Sequence, residues 1–187
     1  GKVQRPGMNN ETMKDYIDFA AEMGLEYMLI DGGWYGQSQS PDADPTRSCP
    51  GIDLPMLVKY ANDKGVDIMV WVHQADLASC LEKAFAYYAS LNIKGVKVDF
   101  FDRDDQDMVR WAQKVVTTAA RYKLLVDLHG IFKPTGVERT WPNLMTHEGI
   151  MGAEYNKWSR RITPEHNVTI PFTRMLAGPM DYTPGAF

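Results

Sequence analysis

A lysine and an aspartate stand two residues apart at the end of an apolar segment. The segment reads GVKVD from Gly95 to Asp99, so Lys97 and Asp99 share one face if it forms a β-strand. A carboxylate that ends a buried strand, kept ionised by a neighbouring ammonium group, can attack an electrophile or bind a hydroxyl group. We therefore take Asp99 as a candidate catalytic residue and Lys97 as a candidate substrate-binding residue.

Three more aspartates follow within six residues of Asp99, at Asp102, Asp104 and Asp105. They stand just before a helical pattern that begins near Gln106, where aspartates commonly cap a helix and interact well with its positive end. Helix capping is the simpler explanation for these three, and a capping role is also the competing interpretation of Asp99.

A second pair of carboxylates lies in the segment HEGIMGAEYNKW, where Glu148 and Glu154 are six residues apart with two glycines between them. Two acids that converge from one short loop can hold a hard cation such as Ca²⁺. Alternatively, one of them can donate a proton to a substrate. Two solvated surface acids are the third interpretation, which the nearby Tyr155 and Trp158 disfavour.

Carboxylates at two separate strand ends are the groups that glycoside hydrolysis requires, because one protonates the leaving oxygen while the other attacks or activates water. Other polar and aromatic side chains near strand ends are candidates for binding sugar hydroxyls and ring faces. Each histidine among them is equally compatible with a structural role. These candidates are Asp31, Trp34, Trp71, His73, His129, Lys133 and Lys157.

Short apolar runs alternate with helical patterns along the chain, which predicts a parallel sheet of βα units. The runs span 25–30, 66–72, 93–98, 124–128, 143–147 and 168–172, and the helical patterns span 9–24, 54–65, 77–92 and 106–122. A (β/α)₈ TIM-type barrel is favoured over an open sheet, because polar residues follow nearly every run and no G-x-G-x-x-G turn follows the first. Six runs in 187 residues predict a partial barrel, about strands 2–7, in a single domain over 1–187.

The amino-acid composition argues against some classes of binding partner. The net charge is −4, and the lysines and arginines are scattered, which argues against nucleic-acid binding. No apolar run approaches the ~18 residues of a membrane span.

Three segments together closely resemble the catalytic barrel of glycoside hydrolase family 97. They are EYMLIDGGWYG, GVKVDFFDRDDQDMV and LLVDLHGIFKPTGVERTWPNLMTHEGIMGAEYNKWS, and the similarity runs from about Asn10 to the C-terminus. The resemblance implies Ca²⁺ as cofactor, flanking β-domains that are absent from these 187 residues, and a periplasmic or secreted location.

The resemblance also implies roles for individual residues. Retaining α-galactosidases of this family have an aspartate nucleophile at the position of Asp99 and a general acid at the position of Glu154. Glu148 matches a calcium ligand, and Glu154 is expected to share the ion. The expected activity is therefore release of α-linked galactose by double displacement, with the two carboxyl groups about 5 Å apart.

Three alternatives remain open at this stage. The first is an α-glucosidase of the same family, because residue types do not identify the sugar. The second is an inactive barrel fragment that only binds sugar. The third is a lyase that forms a Schiff base on Lys97.

Overall fold

The computed structural model describes residues 3–184 and consists of a parallel sheet flanked by helices. The five strands lie in the order in which they follow each other along the chain. The strands are β1 (Tyr27–Ile30), β2 (Asp67–His73), β3 (Gly95–Asp99), β4 (Leu125–Leu128) and β5 (Leu144–His147). The α/β class and the first five predicted strands are thus confirmed, with bounds shifted by at most two residues.

Helices connect the strands and cover one face of the sheet. They are α1 (Asn10–Glu22), α2 (Leu54–Asn62), α3 (Gln74–Ala78), α4 (Leu81–Ser90), α5 (Gln106–Arg121) and α6 (Pro164–Thr169). Short 3₁₀ helices span Val137–Arg139, Ala153–Lys157, Ile170–Phe172 and Arg174–Ala177. Within the described residues, no helix is long and apolar enough to cross a membrane.

The two faces of the sheet differ in polarity because side chains alternate along each strand. Val96 and Val98 are fully buried in the apolar core that the helices share. Lys97 alternates with these valines and pairs in register with Trp71 on one side and Asp127 on the other. We call this second side of the sheet the polar face. Asp99 and its register partner His73 lie on this same face.

Asp105 caps α5, as predicted for the aspartates after Asp99. Its Oδ1 accepts hydrogen bonds from the backbone N–H groups of Asp107 at 3.1 Å and Met108 at 3.3 Å. Asp102 and Asp104 do not cap the helix and instead line a cleft beside it.

The sixth predicted strand, 168–172, is wrong. This segment is the end of α6 followed by the 3₁₀ helix Ile170–Phe172. Thr163 caps α6 by accepting a hydrogen bond from the His166 N–H at 3.2 Å, and Pro164 occupies the first turn, where a proline favours a helix. Pro171 lacks the N–H that a strand ladder needs. The parallel partner of β5 is found later, where Met180 forms a bridge with His147.

The predicted helix 77–92 is broken. α3 ends at Ala78 and α4 begins at Leu81, with Ser79 and Cys80 between them. His73 caps α3, because its Nδ1 accepts a hydrogen bond from the Ala75 N–H at 3.0 Å. A polar side chain at the end of β2 therefore starts a helix that the apolar pattern alone does not reveal.

Candidate active site

Asp99 ends the central strand, and both of its carboxylate oxygens accept hydrogen bonds. The indole N–H of Trp71 donates to Oδ2 at 2.9 Å, and the backbone N–H of Phe100 donates to Oδ1 at 2.7 Å. Phe100 has a φ of +65°, so the chain turns sharply after Asp99. The turn brings the Phe100 N–H back to the carboxylate. Asp99 is therefore held in one orientation at the end of the strand.

Gly130, two residues after β4, packs directly against this turn. Its φ is +53°, and a Cβ atom here would lie 2.9 Å from the backbone N and Cα of Phe100 and 3.2 Å from Asp99 Oδ1. The Gly130 N–H donates to Glu148 Oε2 at 2.8 Å. One glycine thus brings the ends of β3, β4 and β5 together, and with them two of the candidate carboxylates.

Glu148 lies among other charged groups near the end of β5. Burial raises the pKa of Glu148; the Gly130 N–H and His129 oppose the rise, whereas Asp99 and Glu154 add to it. Both neighbouring acids therefore disfavour the negative charge of Glu148. A divalent cation would relieve this repulsion, and carboxylate oxygens are the ligands that Ca²⁺ prefers. Calcium binding by Glu148 and Glu154 stays a prediction.

Glu154 lies in the 3₁₀ helix Ala153–Lys157 and is partly buried. Its backbone N–H donates to the Thr183 carbonyl at 3.3 Å. Immediately before this helix, a Cβ on Gly152 would lie 2.5 Å from the same carbonyl oxygen. The position of Glu154 thus depends on close packing between its loop and the segment around Thr183.

Lys97 forms an ion pair with Asp31, the residue that follows β1. Its Nζ lies 2.9 Å from Asp31 Oδ2. Burial alone would lower the pKa of Lys97, but Asp31, with smaller effects from Asp99 and Asp127, outweighs burial and raises it. The lysine is therefore a protonated ammonium group that bridges the ends of β1 and β3.

A buried histidine lies between two aspartates on the polar face. His129 Nε2 is 2.5 Å from Asp181 Oδ2 and 3.4 Å from Asp127 Oδ2. Burial alone would lower the pKa of His129, but the two aspartates raise it to about 10. The ligand-type atoms of the three residues lie within 4.8 Å of one another. The protonated imidazole ring carries a positive charge that balances the charge of the carboxylates beside it.

The remaining predicted substrate-binding residues lie in different environments. Trp34 has no exposed surface, and its indole N–H donates to the Trp71 carbonyl at 2.7 Å, so it packs in the core and does not line a cleft. His73 is buried and stacks on Phe100, with ring centroids 5.2 Å apart. Lys133 is exposed. Lys157 is also exposed, and its Nζ lies 5.8 Å from the Trp158 ring centroid.

An open cleft of about 540 Å³ lies beside Glu148. It is bounded by the loop after Asp99, the loop after β4 and the Glu148 loop. Its lining includes Asp102, Asp104, Gly130, Glu148 and Tyr155. The cleft thus lies among the loops that follow β3, β4 and β5.

Two residues of the polar face were missed in the sequence. Asp127 interrupts an otherwise apolar strand two residues before His129, the same spacing as Lys97 and Asp99. That two-residue spacing could have identified Asp127 as a candidate site residue from the sequence. Asp181 lies 52 residues after His129, and nothing in the local pattern connects the two.

Comparison with known proteins identifies the family of the chain. Residues 1–150 match the model of the family Glycoside hydrolase 97. The chain belongs to glycoside hydrolase family 97. A curated relative from Bacteroides thetaiotaomicron, named retaining alpha-galactosidase, is 44% identical over 182 residues. That match covers 96% of this chain and 27% of the relative, so the chain spans about a quarter of the relative's length.

Two solved structures share the arrangement of the chain. A family 97 enzyme from Pseudoalteromonas sp. strain K8, in complex with acarbose, superposes with a TM-score of 0.86 at 31% identity, covering 99% of this chain and 32% of that one. A β-arabinopyranosidase superposes with a TM-score of 0.78 at 30% identity, covering 94% of this chain and 29% of that one.

Proposed function

We propose that this chain carries the catalytic centre of a retaining glycoside hydrolase that releases terminal α-linked galactose from oligosaccharides or simple glycosides. The observation that carries the proposal is Asp99, whose two oxygens are fixed by Trp71 and Phe100 at the end of β3. The name of the relative from Bacteroides thetaiotaomicron supports galactose as the sugar.

Asp99 acts as the nucleophile in this proposal. It attacks the anomeric carbon while Glu154 gives its proton to the leaving oxygen, so that the glycosidic bond breaks and a glycosyl ester forms. Glu154 then removes a proton from water, the water attacks the same carbon, and the ester bond breaks to release the sugar with its original configuration. After the two steps together, Asp99 is again a free carboxylate and Glu154 again holds its proton.

Other charged groups of the site bind the substrate and the metal. The ammonium group of Lys97 and the half-exposed carboxylate of Asp31 present a donor and an acceptor for neighbouring sugar hydroxyls. Glu148 and Glu154 would hold Ca²⁺, which would neutralise the acids that surround the cleft. We also propose that the sheet extends beyond β1 on one side and beyond the segment at Met180 on the other, so that the remaining strands complete a (β/α)₈ barrel.

The lyase alternative fits the geometry poorly. A lysine that forms an imine needs a neutral amine at working pH. The raised pKa of Lys97 and its ion pair with Asp31 keep the amine protonated. An α-glucosidase, a β-arabinopyranosidase and an inactive sugar-binding protein are distinguished by the substrates in the assay below.

The decisive experiment compares nitrophenyl α-galactoside, α-glucoside and β-arabinopyranoside as substrates of the full natural chain, with the first product anomer recorded by NMR. We expect preferential turnover of the galactoside with α-galactose released first. Asp99→Ala should abolish turnover, and azide should restore it by displacing the aryloxide to give β-galactosyl azide. Asp107→Ala, which changes an exposed aspartate on α5, is the matched control.

Three results would contradict parts of this proposal. A first product of inverted configuration would exclude the double displacement. Turnover by Asp99→Ala within tenfold of the parent would exclude Asp99 as nucleophile. Binding of galactose without hydrolysis of any of the three glycosides would favour the sugar-binding alternative.

A further inference from the structure

Arg174 is a buried arginine whose guanidinium group contacts five backbone carbonyl groups. It begins the 3₁₀ helix Arg174–Ala177 and is only 6% exposed. Its Nε donates to the Gly149 carbonyl at 3.0 Å, and its Nη1 donates to the Gly178 carbonyl at 3.1 Å. Its Nη2 lies 3.1–3.2 Å from the carbonyl oxygens of residues 147, 148 and 179. All five acceptors are thus neutral oxygens.

These carbonyl groups belong to two segments that no regular ladder holds together. The first, residues 147–149, is the point where β5 ends and the Glu148 loop begins. The second, residues 178–179, leads to the single bridge between Met180 and His147. A guanidinium group offers five N–H donors in one plane, which suits a ring of carbonyl oxygens better than the compact ammonium group of a lysine.

Both segments position charged groups of the candidate active site. Glu148 stands inside the first segment, and its side chain accepts the Gly130 hydrogen bond. The second segment continues to Asp181, which binds His129, and to Thr183, whose carbonyl accepts the Glu154 N–H. Movement of either segment therefore moves a carboxylate of the site.

We propose that Arg174 is a positioning residue, which sets the places of Glu148 and Glu154 by joining the end of β5 to the segment 178–183. The effect on catalysis rests on the proposed function. The joining of the two segments by Arg174 does not depend on the proposed function. Arg174 itself is buried. It acts through the carbonyl groups it binds.

The test uses Arg174→Ala and Arg174→Lys in the full natural chain, with the exposed Arg110→Ala as control. Hydrogen–deuterium exchange is measured on peptides that cover residues 147–154 and 178–184. kcat and KM are measured on the aryl galactoside. Both measurements are repeated with millimolar guanidinium, far below denaturing concentrations, and with the same concentration of ammonium ion.

We expect faster exchange in both peptides of Arg174→Ala and no change in peptides from β2 or β3. kcat should fall by about 100-fold, the usual consequence of misplacing a catalytic group by about 1 Å, with KM changed much less. Guanidinium should restore protection and kcat, and ammonium should not. Arg174→Lys should fall between the parent and Arg174→Ala.

The proposal would be overturned if both peptides of Arg174→Ala exchanged as slowly as those of the parent. It would also be overturned if guanidinium did not restore the kcat that Arg174→Ala had lost. If Arg174→Ala does not fold, Arg174→Lys decides by the same measurements. If the parent hydrolyses no glycoside, the proposed function fails. The exchange data and their reversal by guanidinium still establish or refute the positioning role.

Discussion

Replacing Gly130 by alanine tests the packing that brings the three strand ends together. Two separate losses of folding stability are expected. An alanine at φ +53° adopts the left-handed region, at about 1–2 kcal/mol. Its Cβ would also lie 2.9 Å from backbone atoms of Phe100, and backbone cannot move aside as a flexible side chain does. Overpacking of this kind costs about 1–3 kcal/mol.

A control variant separates the two costs. Gly24, after α1, has a φ of +69° and no atom within 4 Å of the position a Cβ would take. Gly24→Ala therefore has the conformational cost alone. The extra destabilisation of Gly130→Ala, about 1–3 kcal/mol, should lower the melting temperature by a further ~2–12 °C in a domain of this size. Thermal unfolding followed by circular dichroism measures both variants.

Gly130→Ala should also reduce activity, because relief of the overlap pushes Phe100 and Asp99 away from the Glu148 loop. We expect kcat to fall at least tenfold, while Gly24→Ala keeps the parental kcat. Equal melting temperatures for the two variants, or an unchanged kcat in Gly130→Ala, would refute the argument that this glycine sets the spacing of the site.

Three further changes test other contacts. Trp71→Phe keeps an aromatic ring but removes the N–H group that donates to Asp99. Loss of this charge-assisted hydrogen bond, about 1.5–3 kcal/mol, should lower kcat about 10- to 100-fold. A kcat within twofold of the parent would contradict this expectation. Burial lowers the pKa of His147 from 6.5 to about 4, so between these values the unfolded chain binds a proton that the folded chain does not. Stability should therefore fall by at most about 3 kcal/mol as pH drops through this window, and His147→Gln should remove that share of the pH dependence of the urea midpoint. Added calcium should raise the melting temperature of the parent by mass action, and Glu148→Gln should lose most of that increase; an equal increase in both would argue against Glu148 as a ligand.

The strand ends were predictable because a physical rule places them. Parallel strands buried on one face by helices give short apolar runs, and the residue after each run lies at one edge of the sheet. Lys97 and Asp99 follow from this rule and from the two-residue period of a strand. The same rule fails where a short apolar run is helical. The segment 168–172 has strand-forming residues, but Thr163 and Pro164 start a helix before it.

Other features were not predictable because they depend on contacts between distant residues. Trp34 resembles a substrate-binding aromatic in sequence, yet the structure places it wholly inside the core. The partner of His129 is 52 residues away, and the acceptors of Arg174 are backbone carbonyl groups, which no residue type reveals. Residues that bind backbone are especially difficult to recognise, since any sequence offers the same acceptors.

The proposed nucleophile and the proposed proton donor lie in parts of the sheet that have different numbers of neighbours. Asp99 ends β3, which is paired along both sides, by β2 and by β4. Glu148 and Glu154 follow β5, which pairs with β4 on one side and, within residues 3–184, has only the bridge at Met180 on the other. Local opening is easiest where the fewest contacts must break. Mild heat or denaturant applied to these 187 residues alone should therefore release the Glu148 loop while the strand of Asp99 is still folded.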